Sequence, residues 1–204
     1  MMKLYFSPFS PYVRKCLVVG YELGLNDQIE LLNSNAHPVN RDLEIVKSNP
    51  LGKVPTFFNK KGQPLFDSRV ICEYLNHEGR GNLFPVQAEQ RWTALVLHAL
   101  ADGILDSALL ARYETVARPE QYYWQGWEQA QMEKINSSLD YLETGKLELD
   151  QQPCIGTLSI ACALWYLDLR FSDFDWRQVY PKVAEWYAEF SQRPSMRHEW
   201  SLKV

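Results

Sequence analysis

Apolar and polar residues change their rhythm close to Glu78, and the two rhythms predict two kinds of architecture. Before that point, short apolar runs alternate with helical stretches. Lys3-Leu4-Tyr5-Phe6 is a brief apolar run halted by Ser7-Pro8, which predicts a strand and then a turn. Pro11 suits the first turn of a helix, and Val13, Cys16, Leu17, Gly20 and Leu23 recur at helical spacing until Gly24-Leu25-Asn26. Ile29 to Leu32 predicts a second strand, and Asp42 to Lys47 a short helix stopped by Asn49-Pro50-Leu51-Gly52. Thr56-Phe57-Phe58 and Pro64-Leu65-Phe66 flank Lys61-Gly62 and predict a hairpin. Ser68 is then expected to N-cap a helix through Val70, Ile71, Tyr74 and Leu75. This order, βαβ then αββα, implies an α/β sheet with parallel and antiparallel parts.

Beyond Glu78 the pattern is helical. Gly79-Arg80-Gly81-Asn82 has the character of a linker, and Leu83-Phe84-Pro85 that of an apolar anchor followed by a stop. Trp92, Leu95, Val96, Ala99, Gly103 and Leu110 trace one face of a long helix, and Met132, Ile135, Leu139 and Leu142 one face of another. Leu158 to Phe171 is apolar on nearly all sides and is expected to form the buried central helix of an all-α domain. The expected organisation is an α/β domain over residues 1–78, a linker over 79–88 and an all-α domain over 89–204.

Composition narrows the function classes. A chain of 204 residues, 46% of them hydrophobic, can bury a full core. Its formal net charge of −4 argues against a nucleic-acid footprint. Cys16, Cys72, Cys154 and Cys162 are scattered, with no C-x-x-C and no Cys/His cluster of the kind that holds zinc. Cys16, Cys72 and Cys162 fall inside apolar helical patterns, as small core residues do. No signal peptide is expected before Leu4, and the longest apolar stretch, Leu158 to Phe171, falls short of the roughly 20 residues of a membrane span. A soluble protein of the reducing cytoplasm is the expectation.

Three short motifs carry the chemistry. A free thiol, with a pKa of about 8.5, is a poor nucleophile at neutral pH, so a protein that uses one must stabilise its anion. Ser10 precedes Pro11 where the first helix begins, and its hydroxyl can donate to a thiolate beside the positive end of the helix dipole. Equally, it can be only an N-cap. Val54-Pro55, after a glycine and before a strand, can hold a cis bond and offer the Val54 N–H and C=O to an extended peptide, or be a trans proline entering an edge strand. Asp67-Ser68 at a helix start can take an α-amino acid head group, the serine holding the carboxylate and the aspartate the ammonium, or can serve as a plain cap.

Together these pieces resemble a known family. Tyr5-Phe6-Ser7 leading to Ser10-Pro11-Tyr12-Val13-Arg14-Lys15, then Asn49-Pro50-Leu51-Gly52-Lys53-Val54-Pro55, then Phe66-Asp67-Ser68, is similar to the thioredoxin-like domain of cytosolic glutathione transferases. Leu83-Phe84-Pro85 matches their inter-domain link. The likeness continues through Ala101 to Asp106, Glu133 to Asp140 and Ser159 to Ala163, where it is most like the bacterial YibF-type transferases. The resemblance implies a thioredoxin-like N-terminal domain with an all-α C-terminal domain, glutathione as cosubstrate, no metal, and a twofold homodimer joined through the long fourth helix. It puts Ser10 at the thiolate-stabilising position, Val54 against the cysteinyl backbone, and Asp67 with Ser68 on the γ-glutamyl end. Lys53 is a candidate for the glycyl carboxylate or a solvated loop lysine. Asp106 ends a D-G-x-x-D run that in some classes reaches glutathione across the dimer, or makes an ordinary interhelical contact. One departure is that Ser159 is followed three residues later by Cys162 rather than by Asp, so no reciprocal capping box is expected there.

The activity this implies is transfer of the glutathione thiol to a small apolar electrophile. The acceptor is expected between the domains, against Phe9, Tyr12, Leu105, Leu109 and Tyr113; Trp124 and Trp165 are expected to be core. Thiol-disulfide exchange is disfavoured because the Ser10 alkoxyl cannot form a mixed disulfide. The alternative is a non-catalytic relative that kept the fold as a transcription or stress partner.

Overall fold

The structure, a computed structural model, describes residues 1–202. Backbone contacts divide the chain into two units, Met1–Phe84 with the segment from Arg197, and Pro85–Met196. The first unit runs β1 (Met2–Phe6), α1 (Pro11–Glu22), β2 (Ile29–Asn33), α2 (Leu43–Val46), β3 (Phe57–Phe58), β4 (Pro64–Leu65) and α3 (Ser68–Glu78). Its sheet has the order β2-β1-β3-β4, parallel between β1 and β2 and antiparallel across the hairpin side. Along β1, Met2, Leu4 and Phe6 are buried while Lys3 faces out and pairs with its register neighbour Glu30 at 3.2 Å. The core is completed by Val13, Cys16 and Leu17 of α1, Phe57 of β3, and Ile71, Cys72 and Leu75 of α3.

Two local expectations are corrected in this unit. The N-cap of α3 is Asp67, whose Oδ1 accepts from the Arg69 N–H at 2.9 Å, and Ser68 is the first helical residue. Both residue types cap well, and the carboxylate one position earlier takes the role. The last stretch of chain, expected in the helical domain, returns to the first unit. The His198 ring lies 5.1 Å from Tyr21 and 5.0 Å from Trp200. The Trp200 indole donates to Asn26 Oδ1 at 3.0 Å, and the Arg14 guanidinium sits 5.4 Å from its ring centroid. Aromatic and cation–π contacts with the outer side of α1 hold the segment there.

The second unit contains α4 (Ala88–Val116), α5 (Gln125–Glu143), α6 (Ile155–Arg170), α7 (Trp176–Val179), α8 (Pro181–Phe190) and α9 (Pro194–Arg197), the last ending at the division. α6 is buried on nearly every side, as its composition predicts. It begins against α4: a Cβ on Gly156 would lie 2.6 Å from Leu97 Cβ and 2.7 Å from the Ala94 carbonyl, so only glycine permits that approach. A capping box does form, upstream of the stretch in which none was expected. Cys154 is the N-cap, its Sγ accepting from the Thr157 N–H at 3.5 Å while Thr157 Oγ1 accepts from the Cys154 N–H at 2.9 Å. Ser159 lies inside the helix and donates to the Ile155 carbonyl at 2.6 Å.

The apolar face that the sequence traces on α4 is its outer one. Trp92 is 62% and Val96 50% exposed, with Ala99, Gly103 and Leu110 on the same open stripe and Leu95 half-buried. The core side is formed by Ala94, Leu97, Ala101, Ile104, Leu105 and Ala108. With two apolar sides, α4 is long and apolar enough by composition alone to cross a membrane, and exceeds the Leu158–Phe171 stretch in that respect. On α5, Ile135, Leu139 and Leu142 are buried as predicted. Trp124, expected in the core, is exposed at the N-cap of α5, and Trp165 is half-buried.

Candidate active site

Sheet topology brings three loops to one end of the first unit. Ser10 follows the C-terminal end of β1, and Val54 precedes the N-terminal end of β3, which runs antiparallel to β1. β4 reverses direction again, so Asp67, just after its C-terminal end, emerges at the same end of the sheet. The motifs at residues 10, 54 and 67–68 are therefore neighbours in topology although they are scattered in sequence.

Ser10 is the N-cap of α1, in extended conformation, with Pro11 as the first helical residue. Its Oγ accepts from the Val13 N–H at 3.3 Å. That bond occupies a lone pair and leaves the hydroxyl proton available, so capping and donation to an anion are compatible at one serine. The Ser10 N–H donates to the Ser7 carbonyl at 3.2 Å, which fixes the turn between strand and helix.

The Val54-Pro55 bond is cis, as the motif allows. Neither the Val54 N–H nor its C=O has a hydrogen-bond partner among the described residues, although the residue is half-buried. The adjoining loop is, in contrast, tied by a network of bonds. Asn49, 1% exposed, donates to Lys53 O at 3.3 Å and Thr56 Oγ1 at 2.9 Å, and its Oδ1 accepts from the Leu51 N–H at 3.0 Å. The Thr56 hydroxyl donates to Lys53 O at 2.8 Å, and the Thr56 carbonyl accepts from the Tyr5 N–H at 3.0 Å. Gly52 turns the loop at φ +61, where a side chain would also crowd Val46 and Arg41. Arg41 donates to the Pro50 carbonyl. Asn49 and Thr56 are the residues that shape this loop, and the sequence marked Asn49 only as a helix stop. The Lys53 side chain is exposed.

At the third loop the Phe66-Asp67 bond is also cis. Asp67 is exposed and spends Oδ1 on the Arg69 N–H, which leaves the other carboxylate oxygen. Ser68, at 2% exposure, stands in the first turn of α3, where backbone N–H groups have no intrahelical acceptor. The end of α3 therefore combines a carboxylate, a hydroxyl and open amides.

In the second unit, Asp106 is exposed on the same stripe of α4 as Trp92, Val96, Ala99, Gly103 and Leu110. Leu105 is wholly buried, and Leu109 and Tyr113 are half-buried. Among the described residues, no cluster of three or more His, Cys, Asp or Glu side chains is arranged to hold a metal ion.

Comparison with known proteins matches both units to one family. Residues 9–78 match the "Glutathione S-transferase, N-terminal domain" and residues 125–189 the "Glutathione S-transferase, C-terminal domain". The GST-like protein YibF of Escherichia coli K12, itself uncharacterised, is 37% identical over 174 residues, 83% of either chain. A glutathione transferase family member from Pseudomonas fluorescens Pf-5, solved with bound glutathione, is 44% identical with a TM-score of 0.92, covering 96% of this chain and 97% of that one. The same protein with bound S-(propanoic acid)-glutathione is 43% identical with a TM-score of 0.88 over the same shares. Elongation factor 1-gamma-A of Xenopus laevis is 28% identical over 163 residues, 78% of this chain but 36% of the factor. A four-stranded α/β unit, a helical unit and domain matches over most of the chain thus agree, and the chain belongs to the glutathione S-transferase family.

Proposed function

We propose that the chain binds glutathione and transfers its thiol to a small, largely apolar electrophile. The observation that carries this is the unpaired Val54 amide and carbonyl at the same end of the sheet as the Ser10 hydroxyl and the open start of α3. An extended tripeptide pairs with Val54 as an added strand. Asp67 and Ser68 hold its γ-glutamyl end, and Lys53 its glycyl carboxylate. Ser10 donates to the sulfur. Lowering the thiol pKa by about two units needs roughly 2.7 kcal/mol, and one hydrogen bond to an anion supplies about 1.5–3 kcal/mol. The thiolate then attacks carbon: the S–C bond forms, the leaving group departs with its electron pair, and the thiol proton passes to water. The relative that holds S-(propanoic acid)-glutathione supports a carbon-substituted glutathione as an occupant of this site.

The working unit is a homodimer joined through the open apolar stripe of α4, which carries Asp106. Symmetric pairing of one patch with itself suits such a stripe, and Asp106 would then meet the partner's glutathione. The cellular setting is a reducing cytoplasm, in keeping with Cys16, Cys72, Cys154 and Cys162, none of which is joined in a disulfide. The likeness to elongation factor 1-gamma favours a second reading, a binding protein without turnover. Retention on glutathione-agarose, followed by the ultraviolet difference absorbance of bound thiolate, separates the two. A protein that retains glutathione but leaves it as thiol, with no conjugation of a reactive aryl halide, is the binding protein.

A further inference from the structure

A hollow of about 360 Å³ opens in the second unit between the end of α5, the loop that follows it and the start of α8. Protein interiors are close-packed, and a space of this size falls within the range of small-molecule sites. Its inner wall is apolar. Leu142 is 5%, Val183 1% and Trp186 7% exposed, and Leu147 and Leu149 are half-buried on the loop side. The Trp186 ring is itself stacked on Phe190, with centroids 4.7 Å apart.

Bonds across long stretches of chain hold these walls in place. Glu143, the last residue of α5, accepts from the Lys182 N–H at 3.1 and 3.0 Å and from the Val183 N–H at 3.0 Å. Both of its oxygens are thus spent on the start of α8. The Trp186 indole donates to the Asp150 carbonyl at 3.0 Å, and the Gln151 amide donates to the Trp186 carbonyl at 3.3 Å. The loop is therefore fastened to α8 at two points. Other polar groups of the lining remain open. Glu148 has no hydrogen-bond or ion-pair partner among the described residues, and Asp150 spends only Oδ1, on the Gln152 N–H at 2.8 Å. The lining carries three carboxylates, Glu143, Glu148 and Asp150, against one ammonium, Lys182. An indole wall and an excess of negative charge both attract a cation.

We propose that this hollow binds a small organic ammonium, its apolar body against Leu142, Val183 and Trp186 and its cation at Glu148 and Asp150. The apolar part leaves water for a wall that is already dry, and the ammonium donates charge-assisted hydrogen bonds to the two open carboxylates. The indole adds cation–π attraction. Lys182, exposed on a flexible stem, opposes the cation and limits its affinity. This activity goes beyond thiol transfer. It needs no glutathione, whose proposed anchors Ser10, Val54, Asp67 and Ser68 all belong to the first unit.

The test compares phenethylamine with phenethyl alcohol, which share an apolar body and differ in charge at neutral pH. Binding to the full chain is measured by calorimetry without glutathione. It is located by the Trp186 indole N–H resonance, assigned from its loss in Trp186→Phe. The amine should shift that resonance and bind about tenfold or more tightly than the alcohol, the scale of one charge-assisted hydrogen bond. The margin should narrow with added salt. Glu148→Gln combined with Asp150→Asn should abolish the margin, and Lys182→Gln should widen it, with native circular dichroism in both variants because all three side chains are exposed. Absence of amine binding, equal affinity for the two compounds or an unmoved Trp186 resonance each overturns the proposal. So does a margin that survives the double substitution.

Discussion

The Cys16 thiol points at the Ser68 carbonyl across 3.9 Å, joining the middle of α1 to the first residue of α3 over 52 positions of sequence. Both residues are buried, so the helix that starts at Ser10 and the helix that starts beside Asp67 are held in one packed layer. A thiol suits this contact because it is small, weakly donating and at home in an apolar core. The polar groups at Ser10 and Asp67 then stand at the starts of two helices packed together.

Ser10→Ala removes the α1 cap and the proposed thiolate donor together. The pKa of the bound thiol is expected to rise by one to two units, ~1.4–2.7 kcal/mol, and conjugation at neutral pH to fall roughly ten- to a hundredfold, recovering at high pH. Affinity for glutathione changes less. Loss of the cap costs about 1 kcal/mol of stability, read separately by urea unfolding. Ser10→Thr keeps the hydroxyl and should keep most of the rate. Thiolate absorbance that survives Ser10→Ala but not Ser7→Ala would assign the donor to Ser7.

Asn49→Ala leaves Thr56 Oγ1, Lys53 O and the Leu51 N–H without their buried partner. Unsatisfied buried groups cost about 1–3 kcal/mol, so the urea midpoint should drop with an unchanged slope. Because the same bonds shape the approach to Val54, the KM for glutathione should rise severalfold while the thiol pKa of the saturated complex stays near the native value. A variant that loses stability with an unaltered KM would show that the network serves the fold alone.

Much of this was legible in sequence, for identifiable reasons. Pro11, Pro55 and the turn at Lys61-Gly62 punctuate the strand and helix ends, so the three loops could be found from local signals. The Asn49–Thr56 bond could not, because a polar pair seven residues apart inside a loop has no periodic signature. Periodicity identified α4 but chose its outer face, since a helix apolar on two sides does not declare which side meets the core. Trp200 meets Asn26 across 174 positions, beyond the reach of any local pattern.

The open face of α4 gives a test of assembly. Val96→Glu puts a charge on a stripe that contains Trp92 and Ala99 without touching the buried side. In the proposed dimer it should produce a monomer by light scattering at micromolar concentration, with native far-ultraviolet circular dichroism. A native protein that is already monomeric at that concentration would remove the dimer and with it any role of Asp106 across an interface.

Asp42 supplies a pH dependence. Its carboxylate accepts from the Asn35 N–H at 2.8 Å and caps α2 through Glu44 and Ile45, and the Asn35 bond above all holds its pKa below the ordinary carboxylate value despite opposing burial. A depressed folded-state pKa means stability that is present above the unfolded value, about 3.9, and is lost as pH falls through the folded one. Asp42→Ala should therefore be less stable than the native protein at neutral pH, with the gap closing below pH of about 4. A gap that persists unchanged into acid would mean that the side chain acts through packing rather than charge.

The return of His198 and Trp200 to α1 sets the order in which the two units can be completed during synthesis. The helical unit, continuous from Pro85 to Met196, has all of its own residues before His198 and Trp200 are added. The first unit is made first but stays open at Tyr21 and Asn26 until His198 and Trp200 have been added. Domains generally form as units while the chain is being made. Here the half that emerges first is the half that closes last, and a fragment ending at Phe84 would lack contacts that belong to its own fold.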